Sequence, residues 1–186
     1  MLRKLLRFLP ALVLACTALL VLSGPHQAAA RAKKVGAYPT DAGVVKQIHR
    51  FQRETWRWQS LMGVRRTPAS RATVTDPSHT FKLWVRNLWH RRATRARHRA
   101  ARPPHRAGWL CIHRFEGAWN DPAPPYYGGL QMDIGFQRTY GGGLLRRKGT
   151  ANHWTPLEQM WVAERAHRTG RGYYPWPNTA RSCGLI

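Results

Sequence analysis

Glu116 is the side chain in this sequence best placed for acid–base chemistry, because of what surrounds it. It ends the run Trp109-Leu-Cys-Ile-His-Arg-Phe-Glu116, and Gly117 after it is a natural helix stop. Trp109, Ile112 and Glu116 recur at helical spacing, so one short helix would carry the carboxylate at its end. The negative end of a helix dipole disfavours ionisation there. Phe115, Trp119, Tyr126 and Tyr127 would add an apolar wall that disfavours the anion further. Both effects are expected to raise the pKa, as a general acid working near neutrality requires. A glycosidic oxygen leaves poorly until protonated, so glycoside cleavage is the reaction such an acid suits. The plain alternative is one more solvated glutamate.

The other acids nearby read as structural. Asp121 precedes a proline turn within residues 120–129, a loop carrying three prolines and two glycines. Asp133 follows the glycine turn and can cap a helix. Thr155-Pro-Leu-Glu158 is a capping box with proline at the first helical position. The helix it opens is expected to run to about Arg168 and end at Gly170. Leu157, Met160 and Trp161 form its buried stripe, and Glu164 on that face reads as a buried hydrogen-bonding glutamate. Gly141-Gly142-Gly143 reads as a loop, and the tail through Pro175, Pro177 and Cys183 as irregular.

Upstream, Val44, Ile48, Phe51, Thr55, Trp58 and Met62 recur near helical period, with Asp41 as a candidate cap and Gly63 as a stop. A loop is expected over residues 64–79. Phe81, Trp84, Val85, Leu88 and Trp89 then mark a second amphipathic helix, which runs into an arginine-rich segment and stops at Pro103-Pro104. Such Trp-bearing helices with basic flanks either pack on each other and on the domain or lie against an envelope surface. Packing is the expectation for the apolar stripes, and tethering for the face from Arg91 to Arg106.

The first residues have the form of a targeting segment. Arg3, Lys4 and Arg7 precede an apolar run from Phe8 to Leu22, and Ala28-Ala29-Ala30 offers a cleavage site. The expected layout is a signal peptide over 1–30, a basic, partly helical extension over 31–106 (flexible over 31–43), and a domain over 107–186. Cleavage removes Cys16, and in an exported chain the remaining pair, Cys111 and Cys183, reads as a disulfide. A zinc site at Cys111, His113 and Cys183 lacks ligand-pair spacing, so neither metal nor cofactor is expected.

The chain carries a formal charge of +23. Residues 31–106 hold 19 Lys/Arg against Asp41, Glu54 and Asp76, whereas residues 107–186 hold 9 against five acids. This asymmetry suits a polyanionic partner. For an exported chain that partner would be an anionic cell-wall polymer or a membrane surface rather than nucleic acid. An arginine-biased composition, with 25 of the 31 basic residues Arg, is the competing explanation.

Several linked motifs together resemble the resuscitation-promoting factor family, the transglycosylase-like branch of the lysozyme-like superfamily. They are Cys111 to Trp119, Tyr126-Tyr-Gly-Gly-Leu-Gln131, Gly141-Gly142, Glu158 to Glu164, Trp176-Pro177 and Cys183, in the family's order over roughly residues 107–185. The resemblance implies a mainly α, reduced α+β lysozyme-like C-terminal domain in a secreted or wall-associated protein. It implies cleavage of the MurNAc–GlcNAc strands of peptidoglycan, with Glu116 as the acid and Trp119, Tyr126, Tyr127 and Gln131 lining the groove. Three features differ from the family's pattern. Glu116 stands five residues after Cys111 instead of one, Phe136 stands where a threonine is common, and the stretch Asn178 to Ser182 is longer. The extra residues Ile112 to Phe115 either lengthen the helix by about a turn or shift the acid. A non-catalytic wall- or polyanion-binding protein is the competing reading.

Overall fold

The first helix begins at Thr40, whose side chain accepts from the Gly43 amide at 3.2 Å. In this computed structural model, which describes residues 40–186, helix α1 spans Asp41–Met62. The expected signal peptide and most of the flexible leader lie outside the described residues, while residues 41–43 belong to α1. Thr40, not Asp41, is therefore the cap. Asp41 instead ties α1 to the helix that follows: it accepts from Lys82 Nζ at 2.6 Å and contacts the His79 ring. Those two bonds hold its carboxyl below the ordinary carboxylate range. Gly63, at φ 64°, closes α1 in the left-handed conformation that glycine adopts without a Cβ penalty.

After a single helical turn, α2 (Ala72–Thr75), the chain forms α3 (His79–Ala100), capped by the Ser78 hydroxyl. Val44, Ile48 and Phe51 of α1 pack on Val85, Trp89 and Ala93 of α3. The buried positions of α3 are Lys82, Val85, Trp89, Ala93, Ala96 and Ala100. Small alanines thus carry the packing face through the arginine-rich segment, and Arg91, Arg95, Arg97 and Arg99 are exposed. Trp84, expected on the apolar stripe, is 54% exposed and stacks only on Phe81.

The rest of the chain is helical around one short hairpin. Helix α4 (Arg106–Glu116) leads through a turn to β1 (Tyr126–Tyr127) and β2 (Met132–Asp133), paired antiparallel with Tyr126 opposite Asp133. Helix α5 (Ile134–Lys148) follows, with Asp133 accepting from the Phe136 amide at 2.8 Å as its cap. Helix α6 (Pro156–Ala166) opens on the expected capping box and gives way to a wider turn over residues 167–171, with Gly170 at φ 88°. Helix α7 (Pro177–Ser182) ends the chain's regular structure. Trp109, Ile112, Leu130, Met132, Met160, Val162 and Trp176 form the core between these elements.

Two expectations fail here. Gly141 to Gly143 lie inside α5 and form no loop. A Cβ on Gly141 would sit 2.6 Å from the Trp154 ring, so glycine is there to admit an indole. The tail is not irregular either, because Pro177 stands at the first position of α7, where a missing N–H costs nothing. Phe136 is a core residue, packed on Tyr140 and Trp176.

The helices α1 and α3 dock on α6. Trp161 donates to the Ala100 carbonyl at 2.6 Å, and Arg165 and Arg168 donate to the carbonyls of Leu61 and Met62 at 2.7 and 2.6 Å. Residues 40–186 fall in one compact unit, so the expected boundary near Ala107 lies inside it. None of the described helices is long and apolar enough to cross a membrane.

The glycine run in α5 offers a paired test. Gly141→Ala should destabilise the protein by about 1–3 kcal/mol, since overpacking against Trp154 outweighs the helix propensity gained. The nearest neighbour to a Cβ on Gly142 is the end of Arg146 at 3.7 Å. Gly142→Ala should therefore stabilise by roughly 0.5–1 kcal/mol. Urea unfolding of the two variants checks the opposite signs.

Candidate active site

Helix α4 is fixed at its start by a buried acid. Glu164, fully buried in α6, accepts from the His105 amide at 2.8 Å, the Trp109 indole at 2.9 Å and the His105 ring at 3.1 Å. An ionised carboxylate only accepts, so His105 Nδ1 carries the proton in that bond. Glu164 is thus the structural glutamate expected from its position on α6. The helix then runs unbroken through Cys111 to Glu116, so the four intervening residues lengthen it.

The Cys111–Cys183 disulfide is present, with 6.0 Å between the Cα atoms, and joins α4 to the end of α7. Beside it, Thr179 Oγ1 donates to Glu116 Oε1 at 2.8 Å and lies 3.3 Å from the Trp176 carbonyl. Glu116 is partly buried, and no cation lies within ion-pair distance of it among the described residues. Its neighbour Gly117, at φ 143°, turns the chain away from α4.

That turn is braced from several sides. Gln131 donates to Asp121 Oδ2 at 2.8 Å and to the Gly128 carbonyl at 3.1 Å, and Asp121 also accepts from the Ala123 amide. A Cβ on Gly117 would stand 3.3 Å from Asp121 Oδ2 and 3.4 Å from Gln131 Nε2, which places both side chains beside the exit from α4. Trp119 stacks on His113 with 4.0 Å between ring centroids. Gly129 has no room for a side chain, since a Cβ would come within 2.6 Å of His113 and 2.8 Å of Trp119. Gln159 closes the assembly from α6, donating to the carbonyls of Trp119, Ala151 and Trp154 at 2.7, 2.9 and 3.1 Å.

The expected site residues therefore fare differently. Gln131 sits next to the acid's helix end, but its amide is already engaged by the turn. Trp119 is partly buried against His113, and Tyr127 packs on the margin of the core. Tyr126, half exposed on β1, presents a free aromatic face. Phe115 is 59% exposed and provides no wall around Glu116. Asp121 and Asp133 are each committed to the backbone, as expected. Thr179, His113 and Gln159 were not anticipated. Among the described residues no cluster of three His, Cys, Asp or Glu could hold a metal. Comparison of the chain with family models, curated proteins and solved structures finds no match.

Two measurements probe this scaffold. Replacing Cys111 and Cys183 by alanine opens a loop with a sequence separation of 72 and should cost about 4 kcal/mol of stability in the chain-entropy model. The comparison is denaturant unfolding under oxidising conditions. The second concerns His167, whose ring stacks on His105 at 3.9 Å. Burial, then the charge of His105, lower its pKa below the ordinary 6.5, and Glu164 only partly offsets them. The unfolded chain thus binds the proton more readily than the folded one. Stability contributed by this group is full above about pH 6.5 and lost as pH falls towards the lowered folded value. Melting temperature should drop on acidification from neutral pH to about 5.5, and His167→Gln should flatten that drop.

Proposed function

We propose that this chain cleaves the MurNAc–GlcNAc backbone of peptidoglycan, with Glu116 as general acid, in a lysozyme-like catalytic unit. The observation that carries the reading is the placement of Glu116. It is partly buried at the C-terminus of a helix, held by one hydroxyl with no cation in ion-pair reach among the described residues, and followed by a turn and short hairpin.

The Thr179 hydroxyl suits both protonation states of the acid. It donates to the carboxylate when Glu116 is ionised. When Glu116 is protonated on its other oxygen, the hydroxyl goes on donating to Oε1 and leaves that proton free to face the substrate. Thr179 is a positioning residue for the carboxyl. Glu116 gives its proton to the glycosidic oxygen as the C1–O bond breaks towards an oxocarbenium-like centre. With Asp121 and Asp133 engaged elsewhere, the sugar's 6-hydroxyl attacks that centre and returns its proton to Glu116, leaving an anhydro end. Tyr126 supplies an aromatic surface for a sugar ring to rest on.

Glu116→Gln should retain the fold and lose about 10² to 10⁴ in rate on purified peptidoglycan, because the amide cannot supply the proton. Muropeptide release by the variant at the wild-type rate would overturn the assignment. Thr179→Val should alter the pH profile of cleavage, and Thr179→Ser should restore it.

A further inference from the structure

A cleft of about 900 Å³ opens away from the acid, between the end of α1, the last turns of α5 and the start of α6. Glu116 is not among its lining residues. Arg57, Arg66, Arg147, Lys148 and Arg165 line it, against one acid, Glu158. That acid is already taken: both its oxygens accept from Lys148 Nζ at 2.7 Å. Burial pushes the Glu158 carboxyl up, but Lys148 and the Thr155 amide outweigh it and hold it below the ordinary range.

The four guanidiniums have no carboxylate partner within 4 Å among the described residues. Arg57 lies over the Trp58 ring at 4.4 Å, and Arg66 donates to Ser60 Oγ at 3.2 Å. Arg165 donates to the carbonyls of Leu61 and Tyr140. Burial, with the nearby charge of Arg168, brings Arg165 down to about 10. It remains charged at neutral pH, with its charge uncompensated. Trp58, also in the lining, holds a buried indole N–H that has no acceptor among the described residues.

Arg57, Arg66 and Arg147 stand exposed around one concavity, and like charges gathered there favour an anion that completes the set. Guanidinium forks match phosphate oxygens in bidentate geometry, and a wall setting makes a phosphate polymer the anion to expect there. The cleft is far larger than one phosphate, and its Trp58, Leu61, Leu144 and Leu157 offer carbon surface between the charges. Single-stranded nucleic acid would need successive aromatic faces for its bases, and the one indole here is occupied by Arg57. We propose that this cleft binds a polyol phosphodiester chain, with Arg57, Arg66 and Arg147 clasping successive phosphates. The choice of polymer rests on the wall setting of the proposed function, while the site itself makes no use of Glu116.

Calorimetric titration of the full chain with a glycerol-phosphate oligomer tests this, beside Arg66→Ala/Arg147→Ala and a control of equal charge, Arg138→Ala/Arg146→Ala. Each variant's melting curve establishes that it is folded. The expected result is saturable binding that the cleft pair weakens by about tenfold or more and the control pair barely changes, as loss of charge-assisted contacts requires. Equal weakening by both pairs, or by neither, overturns the site. Inorganic phosphate binding as tightly as the oligomer overturns the chain-length claim. Tighter binding of an oligonucleotide of matched charge, or of phosphatidylglycerol vesicles, overturns the polyol assignment.

Discussion

A carboxylate sealed from water is tolerable only when every lone pair that matters is answered, and Glu164 sets that condition for this fold. Its donors come from two places, the chain just before α4 and the first turn of α4 itself. Satisfying the acid therefore fixes how α4 leaves the preceding segment and at what rotation it lies on α6. Everything further along α4 inherits that rotation, including the burial of Ile112, the bridge at Cys111 and the outlook of Glu116. A lysine or arginine counter-ion would have met the charge with a long, mobile side chain. A backbone amide, an indole and an imidazole meet it with groups that have little freedom, which is why the geometry transmits.

The same economy governs how the first two long helices join the remainder. The last carbonyls of a helix have no partner inside it. Here Leu61 and Met62 at the end of α1, and Ala100 at the end of α3, receive donors from α6 and its exit turn. The cationic donors, Arg165 and Arg168, also face the negative ends of those dipoles. Docking is thus directed by helix ends more than by apolar area, since the apolar contact at the joint is limited to Met62, Ala100, Trp161 and a few partly buried neighbours. Many of the arginines that give the chain its charge are left exposed by this arrangement, and a subset of them lines the cleft.

Much of the helical framework was legible in the sequence because it is written in local terms. Gly63, Gly117 and the Thr155 capping box act over three or four residues, and periodicity sufficed to find α1, α4 and α6. The errors arose where distant contacts overrule local signals. Gly141 to Gly143 reads as a loop until Trp154 is known to need the space. Trp84 reads as core until Ala93, Ala96 and Ala100 show which face of α3 packs. Around Glu116 its place at the end of a helix, the disulfide and the structural duty of Asp133 could be read directly. Thr179 could not, being 63 residues away, although Cys183 one helical turn beyond it carried the clue. The buried amide of Gln159, which gathers three carbonyls from two separate segments, leaves no local trace at all.

The bridge between α4 and α7 has a consequence for when the site exists. Glu116 stands on one of the two helices it joins, and the hydroxyl that holds Glu116 stands on the other. The pairing of acid and hydroxyl is therefore conditional on an oxidised cysteine pair. In a thiol-rich compartment the last helix would be tethered only by its own packing, and the acid would lose its registered partner. The oxidation state of two cysteines thus bears directly on whether a hydroxyl and a carboxylate 63 residues apart in the chain stay in register.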